Sequence, residues 1–186
     1  MAALTAALVW ARDLTLTAAV FLGDGADDLA AASAQAGFAI PWYKVRGNGD
    51  FNFSISDSLV LEISGPGEVV CGPGNRLTTA VVNPSSRKIF LAHGNRFGVG
   101  ARGGNIAAAA GAVGAEAAFF GHTHIPFQSM ENGIFLLNPG SIGRSRSDAG
   151  PTFAVLECPK KGPLSARFFC LKHKGRKIEV QELHTA

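Results

Sequence analysis

Long apolar runs, cysteines and charged residues are all scarce in this chain of 186 residues. No apolar stretch approaches the roughly 20 residues that a membrane-spanning helix needs, and the alanine-rich opening has no basic leader of the kind that a signal peptide carries. The three cysteines, Cys71, Cys158 and Cys170, are an odd number without CxxC spacing. They therefore indicate neither a disulfide framework nor a thiolate zinc site, and we expect a cytoplasmic protein with no membrane partner.

Charged residues make up 17% of the chain and hydrophobic residues 47%, a composition that excludes general disorder and fits one compact domain over residues 1–186. The net charge is only +3, but seven of the 17 basic residues lie between residues 160 and 177. They border the strand-like segment 168–171, and basic residues beside a surface strand usually guard a sheet edge. We therefore expect no nucleic-acid partner, while self-association of the chain stays open.

Helical and strand-like patterns alternate in the first part of the chain. Apolar residues at helical spacing predict a helix over 2–13, and a continuous apolar run predicts a buried strand over 18–22. A second alanine-rich helix is predicted over 27–36, ended by Gly37, and a second strand over 42–45. This alternation predicts a layered α/β fold.

Strand-like patterns dominate beyond residue 55. The predicted strands are 59–63, 78–82, 88–92, 118–120, 134–137, 152–156, 166–171 and 177–180. Two Gly-Pro-Gly turns indicate an irregular insertion over 64–77, and a third alanine-rich helix is predicted over 106–118. Residues 158–186 form a basic, strand-rich C-terminal part. We find no repeat or linker, and the sequence requires no second domain.

Polar residues directly follow several of the predicted strands. These residues are Asp24, Asn48, His93, His122 and His124. In open α/β sheets, sites gather at the carboxyl ends of the strands, so residues that are distant in sequence can converge there. One carboxylate, one amide and up to three imidazoles suit a divalent metal such as Mn, Zn, Fe or Mg. The pattern therefore predicts a metal site.

Each of these residues also has a simpler interpretation. Asp24 can cap the following helix, Asn48 can be a turn residue between two glycines, and His93 can be a hydrogen-bonded core histidine. For any single residue the two interpretations are about equally strong. The recurrence of polar residues at successive strand ends favours the site.

Five short blocks occur in an order that resembles the signature of the calcineurin-like metallophosphoesterases. The blocks are Gly23-Asp24, Gly47-Asn48, His93-Gly94, Gly121-His122-Thr123-His124 and Asn138-Pro139-Gly140-Ser141. The last block is similar to the small bacterial and archaeal phosphodiesterase branch related to the retromer subunit Vps29. The resemblance extends from residue 1 to about residue 157. It implies a four-layer α-β-β-α sandwich of mixed sheets with a two-metal centre.

Carried over by position, the resemblance assigns Asp24 as the carboxylate that bridges two metals. Asn48, His93 and His122 would complete the first metal position, and His124 would contribute to the second. A metal-activated water would attack the phosphorus, with manganese as the expected metal and zinc, iron, nickel or magnesium as alternatives.

An arginine matching the family's substrate-side arginine follows the Asn-Pro-Gly-Ser block. In this sequence it is Arg146, which can contact a substrate phosphate. A solvated loop arginine beside Arg144 is the alternative interpretation, and it stays open.

The chain departs from the family pattern at two places. The Asp-x-His block that ends the family's first strand is absent, because Asp13 lies at the end of a helical pattern and close to Asp24. Residues 2–13 then match the family's first helix, so we expect the first strand and its ligands to be missing and the second metal position to be incomplete. Gly49 stands where many relatives carry His or Cys, which removes a side-chain general acid.

The sequence leaves two candidate functions. The first is a metal-dependent phosphoesterase that hydrolyses a small phosphodiester, or an activated phosphomonoester. The alternative is a non-catalytic Vps29-like interaction scaffold with a degenerate metal site.

Overall fold

The computed structural model describes residues 1–65, 68–73, 86–100 and 103–183. Its helices are α1 (Ala2–Ala11), α2 (Asp28–Ala36) and α3 (Ile106–Ala112), and a 3-10 turn covers Asn95–Phe97. Its strands are β1 (Ala19–Phe21), β2 (Trp42–Lys44), β3 (Ser58–Gly65), β4 (Glu68–Pro73), β5 (Arg87–Ala92), β6 (Ala117–Phe119), β7 (Pro126–Glu131), β8 (Ile134–Pro139), β9 (Thr152–Glu157), β10 (Ser165–Lys174) and β11 (Lys177–Leu183). Among the described residues, no helix has the length and apolar character that crossing a membrane requires.

The strands form three sheets. The largest has six strands in the order β4-β3-β5-β6-β8-β7, and the other two are β1-β2 and β11-β10-β9. Within the described residues, β1 pairs with β2 alone. Strands β5, β6 and β8 run parallel to one another, so their carboxyl ends meet at one edge of the large sheet.

Three apolar clusters hold the layers together. Ile106 of α3 packs with Phe90 and Phe120 on one face of the large sheet. The opposite face packs through Leu91 against the two smaller sheets, which contribute residues such as Phe168. Helices α1 and α2 cover β1 and β2 through a third cluster, which includes Leu8, Ala32, Phe38, Ala19 and Trp42. The predicted four-layer α-β-β-α sandwich of mixed sheets is confirmed.

Two elements differ from the sequence prediction. The segment 64–77 is not wholly irregular, because β3 continues to Gly65 and β4 pairs antiparallel with it. The third helix ends at Ala112 and not at residue 118. Gly114 turns the chain with a φ of 69°, and the alanines that follow form the buried strand β6 in parallel pairing with β5. Burial between layers overrides the high helix propensity of alanine there.

The sequence analysis missed β7, which pairs antiparallel with β8. The turn between the two strands is Asn132-Gly133, and both residues have positive φ, 51° and 79°. An Asn-Gly pair is a strong signal for a hairpin turn, and the sequence analysis did not use it. The strand predicted over 78–82 lies outside the described residues.

Trp10 connects α1 to the three-stranded sheet. Its ring centroid lies 5.5 Å from that of Phe153 on β9 and 4.6 Å from that of Phe169 on β10. These two phenylalanines stack on each other at 5.4 Å. The tryptophan therefore anchors the outer helical layer to this sheet.

We expect Trp10→Ala to lower the free energy of unfolding by about 3 kcal/mol, because it removes a large aromatic contact between two layers. Urea denaturation followed by circular dichroism measures the change. Val9→Ala is the matched control, since Val9 is the neighbouring residue and is 37% exposed. Equal stability of the two variants would show that Trp10 does not join the layers.

Candidate metal centre

His93 lies directly after β5 and is only 2% exposed. Its Nδ1 atom is 2.6 Å from the main-chain carbonyl oxygen of Leu22, which follows β1. A carbonyl oxygen can only accept a hydrogen bond, so Nδ1 carries the proton and donates it. In the neutral imidazole, Nε2 is then the atom with the lone pair, which is the form that binds metals.

The Nε2 atom of His93 faces two oxygen atoms from other loops. It lies 3.1 Å from Oδ1 of Asn48 and 3.4 Å from Oδ2 of Asp24. In the neutral form, the imidazole would present its lone pair toward an amide oxygen and a carboxylate oxygen, and none of these three atoms would supply a proton to the others; the protonated form would donate Nε2–H to them. A divalent cation among them satisfies all three, so this donor set fits a metal.

His122 lies next to this group, with its ring centroid 5.2 Å from that of His93. Partial burial lowers the pKa of His122, and the nearby His93, His124 and Arg146 lower it further, against the opposing effect of Asp24. The lowered pKa favours the neutral imidazole that metal binding requires.

The second histidine of the block is placed differently. Nδ1 of His124 is buried and has no hydrogen-bond partner among the described residues, which leaves its lone pair or proton unsatisfied. The main-chain carbonyl oxygen of His124 accepts a hydrogen bond from the backbone N–H of Arg146 at 3.1 Å. Arg146 itself is exposed, and its charge reaches His122.

The described residues do not assemble a complete two-metal centre. In that part of the chain, no three His, Cys, Asp or Glu side chains are grouped so that they would hold a metal ion. The contacts that do form join Asp24, Asn48 and His93, with His122 beside them. This geometry fits one cation position, while the contribution of His124 to a second position stays a prediction.

Asp50 is a residue that the sequence analysis missed. Its carboxylate accepts hydrogen bonds from the backbone N–H groups of Asp24 at 2.9 Å, Gly25 at 2.7 Å, Ala26 at 3.4 Å and Gly47 at 2.9 Å. Partial burial alone raises the pKa of Asp50, but these four hydrogen bonds outweigh it and lower the pKa below its ordinary value. The ionised carboxylate ties the loop after β1 to the loop after β2.

Asn138 supports the other side of the site. Its side chain is fully buried, and Nδ2 donates to the carbonyl oxygen of Gly121 at 2.8 Å and to Oγ1 of Thr123 at 2.9 Å. Its Oδ1 accepts from the N–H of Gly140 at 2.9 Å. The Asn-Pro-Gly-Ser block therefore holds the loop that presents His122 and His124.

A layered sandwich with a carboxylate, an amide and imidazoles at its strand ends fits a metallophosphoesterase-like domain. Residues 1–161 match the family model described as the calcineurin-like phosphoesterase superfamily domain, and the chain belongs to that superfamily.

Individual relatives agree with this assignment. Over 139 residues the chain is 29% identical to the probable metallophosphoesterase YsnB of Bacillus subtilis strain 168, covering 75% of this chain and 68% of YsnB. A Vps29 single mutant from Entamoeba histolytica has a TM-score of 0.66 at 19% identity, covering 95% and 88% of the two chains. The wild-type protein, solved in complex with Zn²⁺, has a TM-score of 0.62 at 18% identity, covering 95% and 85%.

A predicted phosphoesterase from Streptococcus pneumoniae TIGR4 has a TM-score of 0.62 at 21% identity, covering 97% of this chain and 91% of its own. At such identities these solved structures establish the shared fold.

Gly23 and Gly25 offer a matched pair of substitutions beside the site. Both have positive φ, 96° and 106°, so alanine strains the backbone at either position by about 1–3 kcal/mol. Only at Gly23 would the new Cβ clash, 2.5 Å from Gly47 N and 2.7 Å from His93 Nδ1. We expect Gly23→Ala to unfold at clearly lower urea concentration than Gly25→Ala and to bind Mn²⁺ at least about tenfold more weakly by calorimetry. Equal urea stability and equal Mn²⁺ affinity of the two variants would contradict the close approach of Gly23 to Gly47 and His93.

We expect Asp50→Asn to lower the free energy of unfolding by about 1–2 kcal/mol, because one amide oxygen replaces a carboxylate that accepts four hydrogen bonds and the new amide NH₂ faces N–H donors. Urea denaturation at neutral pH measures the loss. Asp13→Asn is the control, since the Asp13 side chain is 75% exposed and its loss is expected to be within about 0.5 kcal/mol. An Asp50→Asn variant as stable as the control would show that the Asp50 carboxylate does not hold the two loops together.

Proposed function

We propose that this protein is a metal-dependent phosphoesterase that hydrolyses a small phosphodiester, or an activated phosphomonoester, in the cytoplasm. Membership of the superfamily supports a phosphoesterase-type function. The observation that carries the proposal is the convergence of His93 Nε2 with Asp24 Oδ2 and Asn48 Oδ1 at the strand ends.

In this proposal Asp24, Asn48, His93 and His122 hold a divalent cation, with manganese preferred. Zinc, iron, nickel and magnesium are the alternatives, and the zinc complex of Vps29 from Entamoeba histolytica supports a divalent metal on this fold. When bound, the cation would activate a water molecule and polarise a phosphoryl oxygen. The unsatisfied Nδ1 of His124 supports a further contact from that residue.

The protein's own groups orient these ligands and the substrate. The bond from His93 Nδ1 to Leu22 fixes the ring orientation and tautomer, and the N–H of Gly49 donates to Asp24 Oδ1 at 2.7 Å. Arg146 carries positive charge beside His122, where it attracts an anionic phosphate. Gly49 has no side chain to protonate a leaving group, so substrates whose leaving group departs as a stable anion are favoured.

A non-catalytic scaffold is the second candidate function. The structural likeness to Vps29 favours it, as does the lack, among the described residues, of a cluster of three His, Cys, Asp or Glu side chains that would hold a metal. A scaffold would give no turnover whichever metal is supplied.

We expect the purified protein to retain a divalent metal and to hydrolyse bis(p-nitrophenyl) phosphate, a diester with a good leaving group. Asp24→Asn and His122→Ala are expected to lower kcat/KM at least about 100-fold, because each removes a group that holds the cation. Metal content by mass spectrometry and nitrophenolate release are the two measurements. Asp13→Asn serves as the control, because the Asp13 side chain is 75% exposed and its ion pair is with Arg12, outside the candidate site.

The outcomes separate the two functions. Bound metal without turnover of any ester would favour the scaffold. A wild-type protein that holds no metal, and whose turnover is unaffected by either substitution, would overturn the assignment of the site.

A further inference from the structure

A cleft of about 440 Å³ opens beside Asn48 and His93. The loop after β2 lines one side with Phe51 and Phe53, and the turn after β5 lines the other with Asn95 and Arg96. Its volume lies in the range of small-molecule sites. It shares its inner wall with the candidate metal centre, so a ligand there would lie next to any phosphate bound at Asn48 and His93.

The two phenylalanines of the cleft are unusually exposed, Phe51 at 88% and Phe53 at 79%. The loop that carries them is well fixed, because the N–H of Arg46 donates to the carbonyl oxygen of Ser56 at 2.8 Å and Asp50 ties the loop to its neighbour. A fixed loop that presents two aromatic rings to solvent is typical of a binding surface and not of a core element.

The charged residues that line the cleft are two arginines, Arg46 and Arg96, and two aspartates, Asp50 and Asp57. Asp57 accepts a hydrogen bond from Nε of Arg46 at 2.9 Å. It also forms an ion pair with Arg96, whose Nη1 atom lies 2.8 Å from Oδ2 of Asp57. Two guanidinium groups therefore share one carboxylate. The Arg46 guanidinium lies 4.8 Å from the centroid of the Phe53 ring, which fixes that ring from one side. Arg96 is largely exposed, and among the described residues its contact with Asp57 uses only Nη1.

We propose that this cleft binds a planar aromatic group joined by an ester bond to the phosphate held at the metal centre, the chemistry shared by aryl and nucleobase-bearing phosphodiesters. The ring stacks on Phe51 and Phe53, and Arg96 donates to a phosphate oxygen. This inference rests on the proposed phosphodiesterase function and names its substrate class. In the reaction, the oxygen of water bonds to phosphorus as the other P–O ester bond breaks; the leaving group departs with that bond's electron pair as an oxyanion, the protons of the water pass to solvent or to this oxyanion, and the aromatic ester is retained as a phosphomonoester.

The test compares three diesters with the same p-nitrophenyl leaving group, so that their chemistry is matched. The retained groups are methyl, phenyl and thymidine 5′. We expect the wild-type protein to have lower KM for the phenyl and thymidine esters than for the methyl ester. The double variant Phe51→Ala, Phe53→Ala should raise KM about tenfold for these two esters, within the range of base-stacking effects, and leave kcat/KM for the methyl ester unchanged.

Two further variants sharpen the comparison. Met130→Ala is the matched control, because Met130 is an apolar residue that is 63% exposed on β7, away from the residues that line the cleft. It should leave all three KM values unchanged. Arg96→Gln should raise KM by a similar factor for all three esters, since all three contain the phosphate to which Arg96 is proposed to donate.

The three esters also separate the two sources of the aromatic ring. A KM advantage for thymidine over phenyl assigns the subsite to a nucleobase, and the reverse assigns it to an aryl ester. Absence of any preference for aromatic esters, or an equal loss for all three in the phenylalanine double variant, would overturn the subsite.

A binding measurement keeps this test separate from that of the proposed function. Calorimetry compares thymidine 5′-phosphate with methyl phosphate as ligands of the same Mn²⁺-treated proteins. If no ester is hydrolysed, tighter binding of thymidine 5′-phosphate that is lost in the double variant upholds the aromatic subsite while the catalytic proposal fails. Equal binding of the two phosphates overturns the subsite.

Discussion

The hydrogen bond from His93 Nδ1 to the carbonyl oxygen of Leu22 is the constraint on which the site depends. His93 follows β5 of the large sheet, whereas Leu22 follows β1 of the two-stranded sheet, so this 2.6 Å contact joins the two β layers at their common edge. In the neutral ring it also sets the tautomer, in which the lone pair of Nε2 faces Asp24 and Asn48. Gly23 makes the contact sterically accessible, because a side chain there would meet both His93 and Gly47.

Asp50 provides the second constraint, and it links the candidate metal centre to the neighbouring cleft. Its carboxylate holds the backbone of the two loops that present Asp24 and Asn48, and the same loop continues to Phe51 and Phe53. The positions of the metal ligands and of the exposed aromatic rings are therefore not independent.

The sequence predicted the candidate site residues that directly follow a strand. The strand-end positions of Asp24, Asn48 and His93 could be predicted, because parallel strands bring their carboxyl ends to one edge. Asp50 could not be found this way, since three of its four N–H partners belong to a loop about 25 residues away in sequence. The end of α3 at Ala112 was also hidden, because an alanine run suits both a helix and a tightly buried strand. By contrast, the Asn132-Gly133 pair is a recognisable turn signal, and the sequence analysis overlooked it.

Backbone strain adds a separate argument about the site. Of the four described non-glycine residues with positive φ, three are Asp24, His122 and His124, while Asn132 lies in a tight hairpin turn. Asp and His tolerate this conformation better than most residues, yet each instance still costs about 1 kcal/mol or more.

The hydrogen bonds of Asp50 and Asn138 offset this strain, and both residues act on the loops that carry it. If these loops served only as connections, glycine at all three positions would relieve the strain without requiring such buried supports. Keeping a carboxylate and two imidazoles there makes sense when their side chains bind something. The strain therefore favours a ligand-binding role for the strand-end residues, whether the protein turns its ligand over or only holds it.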